Sequence, residues 1–437
     1  MSTKQKRKAV ARTPANGGST KKSAAKKNGA KKAARSKPRS KPAAATPEKP
    51  ESNISLEDLF PPTLKASWED EARNLQAENI KAARDAYARR GLVVYIGAGV
   101  SCSVGLPTWW EMIRSLTVTM MVGRVDSALA ALRDLPDEQM ALAKLRIQEE
   151  VSQGAGGDKS ILIMARSIKE FFGARLPHEV AQALYAPLLK SARKLPFLLR
   201  FMLGQKREPP EGLEKYPAIN DSKLFAAIVE LARAQRDVRG VQAIVNFNYD
   251  DLIEEWMREN GIRCATLLSG REPRRDATLP CYHVHGVLPF RKIQELQATG
   301  NGDLRDTIGN FVFSEDEYHT EYSDPYRWSN MTMINQLGRY SGLFIGLSLQ
   351  DPNLRRMLDV THRQYPDIVN YAILTRKTPR GAGKKTSKQS TLLDLFEKVE
   401  TESFHSIGVR VIWTDTFDEV PDRILQICNM DPGKEAA

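Results

Sequence analysis

Cysteine is scarce in this chain of 437 residues, and no two of its four copies, Cys102, Cys264, Cys281 and Cys428, are spaced C-x-x-C. A zinc module built on four cysteines is therefore excluded. The scattered spacing leads us to expect reduced thiols in a cytosol. No run of eighteen apolar residues exists, so no membrane-spanning helix is expected. The N-terminal residues lack the apolar stretch of a secretory signal, and none is expected. Aromatic residues make up only 7% of the chain, and residues 1–50 contain none.

What those fifty residues do contain is charge. They hold sixteen Lys or Arg and one acid, Glu48, a local charge of +15. The remaining residues carry 49 basic and 52 acidic side chains, a charge of −3, so the formal net charge of +12 belongs to the tail alone. Residues 1–52 offer no large apolar surface to offset the entropy of ordering, and a disordered Lys/Ala/Pro-rich tail is expected. Its Lys and Arg residues would neutralise phosphates without reading sequence, which fits non-specific DNA contact. A tail that only keeps the chain soluble is the equal alternative.

A helical segment is expected over 53–91, with Ser67 and Asp70 as a capping box and Arg89, Arg90 and Gly91 as its end. Five short apolar, β-branched runs read as buried strands: Leu92–Ile96, Val241–Val245, Gly342–Ile345, Tyr371–Leu374 and Val409–Trp413. Helical patterns follow several of them, at Asp250–Glu259, Asn353–Asp359 and Phe417–Cys428. Strands alternating with helices predict a doubly wound, Rossmann-like α/β fold with a parallel sheet. The stretch of about 111–239 is mostly helical and too long for a simple crossover, so it reads as an insertion within a domain covering 92–430.

Four constellations carry chemistry. In "VVYIGAGVSCSVGLPTWW", Val93 to Trp110, a strand runs into Gly97 and Gly99 and then a helix, an arrangement in which backbone N–H groups can approach a phosphate. Ser101 could cap that helix or bond a phosphate oxygen. The dehydrogenase fingerprint G-x-G-x-x-G fails here, because Cys102 stands where its third glycine belongs. A glycine corner holding no ligand explains the same residues. In "IVNFNYDDLIE", Ile244 to Glu254, a strand ends on Asn246 and Asn248 before Asp250 opens a helix. Ligands of open α/β sheets bind at such strand ends, and the Asn248 amide can both donate and accept. Capping is the alternative, and it suits Asp250 best.

In "CYHVHGVLP", Cys281 to Pro289, His283 and His285 would share one face if the strand continued through both. No acid or cysteine shows a spacing that completes a metal site, so no metal is expected. His285 beside Gly286 suits a general base near neutral pH, and His283 suits a structural role. In "FIGLSLQDPNL", Phe344 to Leu354, Gly346 and Ser348 form a second small-residue turn able to meet the far side of a dinucleotide. The stretch "GAGKKTS" fails the Walker pattern and reads as an exposed basic loop over Arg376–Lys388.

Together these motifs resemble the sirtuin superfamily over roughly residues 90–427. The chain carries Gly97-Ala98-Gly99-Val100-Ser101 with Gly105 and Pro107, then Asn248-Tyr249-Asp250, His285-Gly286 and Gly346-Leu347-Ser348, in the family's order. It departs from protein-deacylating sirtuins at Thr108-Trp109-Trp110, where they carry Asp-Phe-Arg, and in lacking the zinc cysteines after the His-Gly pair. "NYDDLIE", "FSEDEYH" and "GLSLQDPNL" look like the NAD-hydrolysing sirtuin-like proteins of bacterial anti-phage defence. The resemblance implies NAD as substrate, hydrolysed to ADP-ribose and nicotinamide without a metal. It implies nucleotide binding by Gly97, Ala98, Gly99, Ser101, Pro107, Asp250, Gly346 and Ser348, with catalysis by Asn248 and His285. It further implies a homo-oligomer, a HerA-type hexameric ATPase partner, and a cytoplasmic or nucleoid-associated location. A non-catalytic nucleotide sensor remains the alternative from another class, and a protein deacylase a third.

Overall fold

A computed structural model describes residues 62–130, 161–188, 221–233, 238–269, 278–293, 308–309, 311–376 and 387–428. The chain divides into Met1–Asn53 and Ile54–Ala437, and every described residue belongs to the second unit. The basic tail, and residues 377–386 of the expected basic loop, lie outside the described residues.

Helix α1 (Pro62–Asp85) runs into a π-turn (Ala86–Arg90) and stops at Gly91, whose φ is +85°. It begins five residues before Ser67, so Ser67 lies inside the helix instead of capping it. Among the described residues, seven strands then form one sheet: β1 (Leu92–Ile96), β2 (Val241–Asn246), β3 (Cys264–Leu267), β4 (Leu279–His283), β5 (Ser341–Ile345), β6 (Asn370–Thr375) and β7 (Val409–Thr414). Their order across the sheet is β3-β4-β2-β1-β5-β6-β7, and every pairing is parallel. All five residues of β1 and of β5 are buried. A strand covered on both faces can be apolar throughout, which is why these runs do not alternate.

Strands β3 and β4 were not expected from the sequence. β3 is four residues long with one fully buried position, and β4 begins Leu-Pro, so neither shows a clear apolar run. The expected strands appear within one residue of their observed ends. The doubly wound α/β architecture expected from the alternation of strands and helices is the one observed.

Each face of the sheet packs on its own core. Leu92, Val94, Ile96, Ile244, Cys281, Leu343 and Ile345 point to one side, and Val93, Tyr95, Val245, Tyr282, Phe344 and Ala372 to the other. On the first side lie α2 (Ala98–Cys102), α3 (Trp109–Ala130), α4 (Ile161–Phe172), α5 (Leu176–Tyr185), α6 (Lys223–Ala232) and α7 (Leu252–Glu259). Helices α3 to α6 come from the 111–239 stretch, and their apolar side chains join the same core as the sheet. Tyr185 of α5 fixes this packing, donating its buried hydroxyl to the Leu288 carbonyl at 2.6 Å and setting its ring edge-on to Phe290. On the second side lie residues of α9 (Trp328–Leu337), α10 (Pro352–Gln364) and the end of α11 (Ser387–His405). Helix α8 (Glu315–Ser323) precedes α9, and α12 (Val420–Ile427) closes the described chain. Among the described residues, no helix is long and apolar enough to cross a membrane.

Arg376, counted above with an exposed basic loop, is instead half-buried at the end of β6. Its guanidinium bonds Glu397 at 2.7 Å and Asp415 at 3.1 Å. Acids from α11 and the segment after β7 meet it there, a contact with no trace in the local sequence.

Candidate active site

The strand order brings the four motif segments together. In register, Ile96 of β1 lies beside Asn246 of β2 and Ile345 of β5, and Asn246 lies beside His283 of β4. The segments leaving four adjacent strands therefore emerge together at one edge: Gly97–Ser101, Phe247–Asp250, Val284–Gly286 and Gly346–Ser348. Between β1 and β5 the sheet changes its direction of winding, which is where open α/β folds leave a ligand crevice.

The two glycine turns touch backbone to backbone. Gly99 donates its N–H to the Gly346 carbonyl at 2.9 Å, and Gly97 donates to the Ile345 carbonyl at 3.1 Å. A Cβ on Gly99 would sit 2.8 Å from Gly346 Cα, and one on Gly97 2.5 Å from the Leu347 side chain. Gly346 itself has φ +67°, and Leu349, three residues on, has φ +54°. The glycines thus serve first to let the β1 and β5 turns interlock. Ala98 is half-buried and starts α2, Pro107 is half-buried ahead of α3, and Ser348 is exposed, its hydroxyl accepting the Gln350 N–H at 3.4 Å.

Asn248 ties the first and second constellations together. Its amide nitrogen donates to the Gly97 carbonyl and to the Ser101 hydroxyl, both at 2.9 Å. Ser101, 4% exposed, in turn donates to Asp250 Oδ2 at 2.7 Å. Both amide hydrogens of Asn248 are committed, so its carbonyl oxygen is what it can offer a ligand. That narrows the sequence expectation of donor and acceptor together to an acceptor, suited to a ribose hydroxyl or a water. Asp250 also accepts the Leu252 N–H at 3.4 Å, but Asp251 is the helix N-cap. Asp251 spends its carboxylate on the Phe290 N–H at 2.9 Å.

Burial pushes the Asp250 carboxyl up to about 6, with Glu254 adding to the effect and the Ser101 hydroxyl and His283 opposing it. Burial likewise pushes Asp251 up to about 7, reinforced by Glu254 and Glu255 against the Phe290 N–H.

The two histidines do not share a surrounding. β4 ends at His283, and the chain turns through Gly286, at φ +90°, so the continuous strand needed for a common face is absent. His285 is half-buried, its ring edge-on to Phe247 at 5.3 Å and to Tyr318 of α8 at 5.8 Å. Burial holds its imidazole below the usual value, against the pull of Asp351, Glu321 and the Phe247 carbonyl. It is accordingly neutral at physiological pH, the state a base needs.

His283 is fully buried. One ring nitrogen faces the Asn248 backbone carbonyl at 3.2 Å and the other contacts the Glu254 carboxylate. Burial opposes the imidazolium, but Glu254, then Asp251 and the Asn248 carbonyl, outweigh it and raise the ring above its usual value. Glu254 is held below the usual carboxylate range: His283 outweighs the effect of burial. Among the described residues, Glu254, Cys281 and His283 bring donor atoms within 4.8 Å of one another, although the His283 Nε2 and Glu254 Oε1 atoms that would face a metal are bonded to each other. The sequence expectation that no acid or cysteine is spaced to complete a metal site with the histidines is thereby corrected for His283. Glu254 is distant in sequence but lies on the buried face of α7, and Cys281 lies two residues before His283 on β4. The signal was present: Leu252, Ile253 and Met257 mark that face of α7 as buried, and an acid on such a face needs a partner.

The Thr108-Trp109-Trp110 departure has a local explanation. Thr108 exchanges bonds with Glu111, its N–H and hydroxyl donating to the carboxylate at 2.8 and 2.9 Å while the Glu111 N–H donates to the hydroxyl at 3.2 Å. This capping box opens α3 and was legible as T-x-x-E. Trp109 packs against Tyr249 and Phe313, and Trp110 is 42% exposed.

The fold and these strand ends define a parallel α/β protein whose four motif segments meet at a switch in sheet winding. Residues 242–401 match the family model described as SIR2-like domain. The match runs from β2 into α11, takes in Asn248, His285 and Gly346, and leaves out the Gly97 turn. It supports the sirtuin-like resemblance and is compatible with chemistry on NAD. No curated protein matches the chain.

Proposed function

We propose that this protein hydrolyses NAD to ADP-ribose and nicotinamide at the edge shared by β4, β2, β1 and β5. The observation that carries the reading is the Asn248 side chain bonded to Gly97 and Ser101, which links two motif segments, the turns after β1 and β2, at one point beside the winding switch. The pyrophosphate lies along the Gly97–Ser101 turn and α2, with Pro107 shaping its far end and Gly346 and Ser348 closing the opposite side. Asp250 acts through Ser101. The Asn248 carbonyl oxygen accepts from a ribose hydroxyl or from the attacking water.

The bond between ribose C1′ and nicotinamide breaks, its electron pair cancelling the charge on the pyridinium nitrogen. Water adds to the oxocarbenium carbon, and its proton passes to His285, which is neutral and able to take it. None of these steps uses a metal. Following the sirtuin-like resemblance, we assign the reaction to depletion of cellular NAD in anti-phage defence, in a cytoplasmic homo-oligomer that acts with a HerA-type hexameric ATPase.

Purified protein incubated with NAD, alone and with the ATPase and DNA, should release nicotinamide and ADP-ribose in equal amounts by chromatography. Release that persists undiminished in both N248A and H285A removes this site. Nucleotide binding without turnover under every condition favours the sensor reading instead.

A further inference from the structure

The proposed reaction leaves unused a buried charged pair directly beneath Asn248. Asp250, Asp251 and Glu254 are 3%, 8% and 1% exposed. Among the described residues, His283 is the one basic side chain that is buried with them. Its ring faces two groups that only accept in their usual states, the Asn248 carbonyl at 3.2 Å and the Glu254 carboxylate. A neutral imidazole has one N–H and cannot donate to both, whereas an imidazolium donates to each. Asn248 is also held from its other side, its backbone N–H donating to Asn246 Oδ1 at 2.9 Å.

We propose that Glu254 and His283 form a buried ion pair that positions Asn248, the imidazolium fixing the Asn248 carbonyl while Glu254 fixes the imidazolium. His283 is a positioning residue. It touches no substrate, and it acts by setting the backbone from which the Asn248 amide reaches Gly97 and Ser101. Its charge has a second effect. It opposes the burial of Asp250, the acceptor of the Ser101 hydroxyl, and so favours the ionised carboxylate that holds Ser101 in place.

The titratable groups around the ring are Asp250, Asp251 and Glu254 from the start of α7, and Cys281 on β4, whose thiol lies beside Cys264 of β3. Burial keeps the Cys281 thiol protonated, so it adds no negative charge. Removing either partner of a buried pair strands the other, which makes a neutral substitution costly out of proportion to its size. A metal held by Glu254, Cys281 and His283 would have to displace the ring nitrogen's bond to Glu254.

The kinetic part of this proposal rests on the NAD-hydrolase reading, but the charge state of His283 can be measured without it. In full-length protein labelled with 15N-histidine, and with His283 assigned by its loss in H283K, both ring nitrogens should remain protonated at pH 8. In nicotinamide release, E254Q and H283Q should lower kcat by about 10²-fold with little change in KM, as for a catalytic group displaced by about 1 Å. H283K, which restores a cation of similar reach, should recover most of that loss. A neutral His283 ring at pH 8 overturns the proposal, as does one tightly bound metal ion per chain that is lost in E254Q. So does unchanged kcat in both E254Q and H283Q. If the wild type releases no nicotinamide, the hydrolase reading fails while the ring measurement still decides the pair. If H283Q does not fold, E254Q and the ring signals carry the test.

Discussion

Asn248 and Gly97 are 151 residues apart, yet the Asn248 amide donates to the Gly97 carbonyl oxygen at 2.9 Å. This bond joins the turn after β2 to the turn after β1. N248A breaks it and leaves the buried Gly97 carbonyl with the Val100 N–H as its remaining donor, at a cost of about 1 kcal/mol. N248D keeps the shape and removes both donors. Each variant should melt lower than the wild type and lose nicotinamide release by about 10²-fold or more. A melting temperature unchanged in both would show that the bond contributes nothing to stability.

The contact between Gly99 and Gly346 gives a second prediction. A methyl group at Gly99 would press on Gly346 Cα at 2.8 Å, and one at Gly346 would meet the Val100 nitrogen at 2.6 Å with φ at +67°. G99A and G346A should each destabilise by about 1–3 kcal/mol. Gly105 is the control, with φ +92° and open space around it, so G105A carries only the backbone strain of about 1–2 kcal/mol, which G346A bears in addition to its clash. Chemical denaturation would rank them, and a G105A as damaging as G99A would contradict the interlocking of the two turns.

On the proposed reaction, His285 should set the acid limb of activity. Its pKa is lowered, so the ring stays neutral as pH falls through the usual imidazole range and protonates only below it. The pH profile of kcat/KM should be flat from pH 8 to about 6.5, the ordinary histidine value, and fall below that. An acid limb centred above the ordinary value would point to another base.

Asp251 links stability to pH with the opposite sign to an ordinary surface carboxylate. Its folded value is raised to about 7, so the folded chain holds the proton more tightly than the unfolded chain. The stability this provides is full below the unfolded value and is lost as pH rises through about 7. D251N removes the titration while its side-chain oxygen can still accept the Phe290 N–H. The melting temperature of D251N minus that of wild type should therefore increase from pH 5 to pH 8, by about 2 °C or more. A difference that shrinks over that range would contradict the buried carboxylate.

Much of the architecture was legible because central parallel strands advertise themselves. Leu92–Ile96 and Gly342–Ile345 are unbroken apolar runs since both faces of β1 and β5 are covered. Cys264–Leu267 and Leu279–His283 were missed because edge pairing in β3 and the Pro280 of β4 leave no such run. The site was legible as four separate motifs, but not the work each does. Gly99 looked like a phosphate contact and is first a seat for Gly346. Asn248 looked free to donate and has both hydrogens committed. His283 suited a structural role, and its partner, Glu254, could not be read from the spacing.

The sequence by itself determined the alternation of strands and helices, the segregation of positive charge into residues 1–50, and the placing of Gly97, Asn248, His285 and Gly346 just after apolar runs. Those are local properties, set by periodicity, composition and the conformations each residue tolerates. Only the tertiary structure decided which strand ends lie side by side, and hence that Ser101 meets Asp250 and Glu254 meets His283. The physical reason is that burial and hydrogen bonding depend on strand order, and nothing within a dozen residues of His283 records that Glu254 will be packed against it.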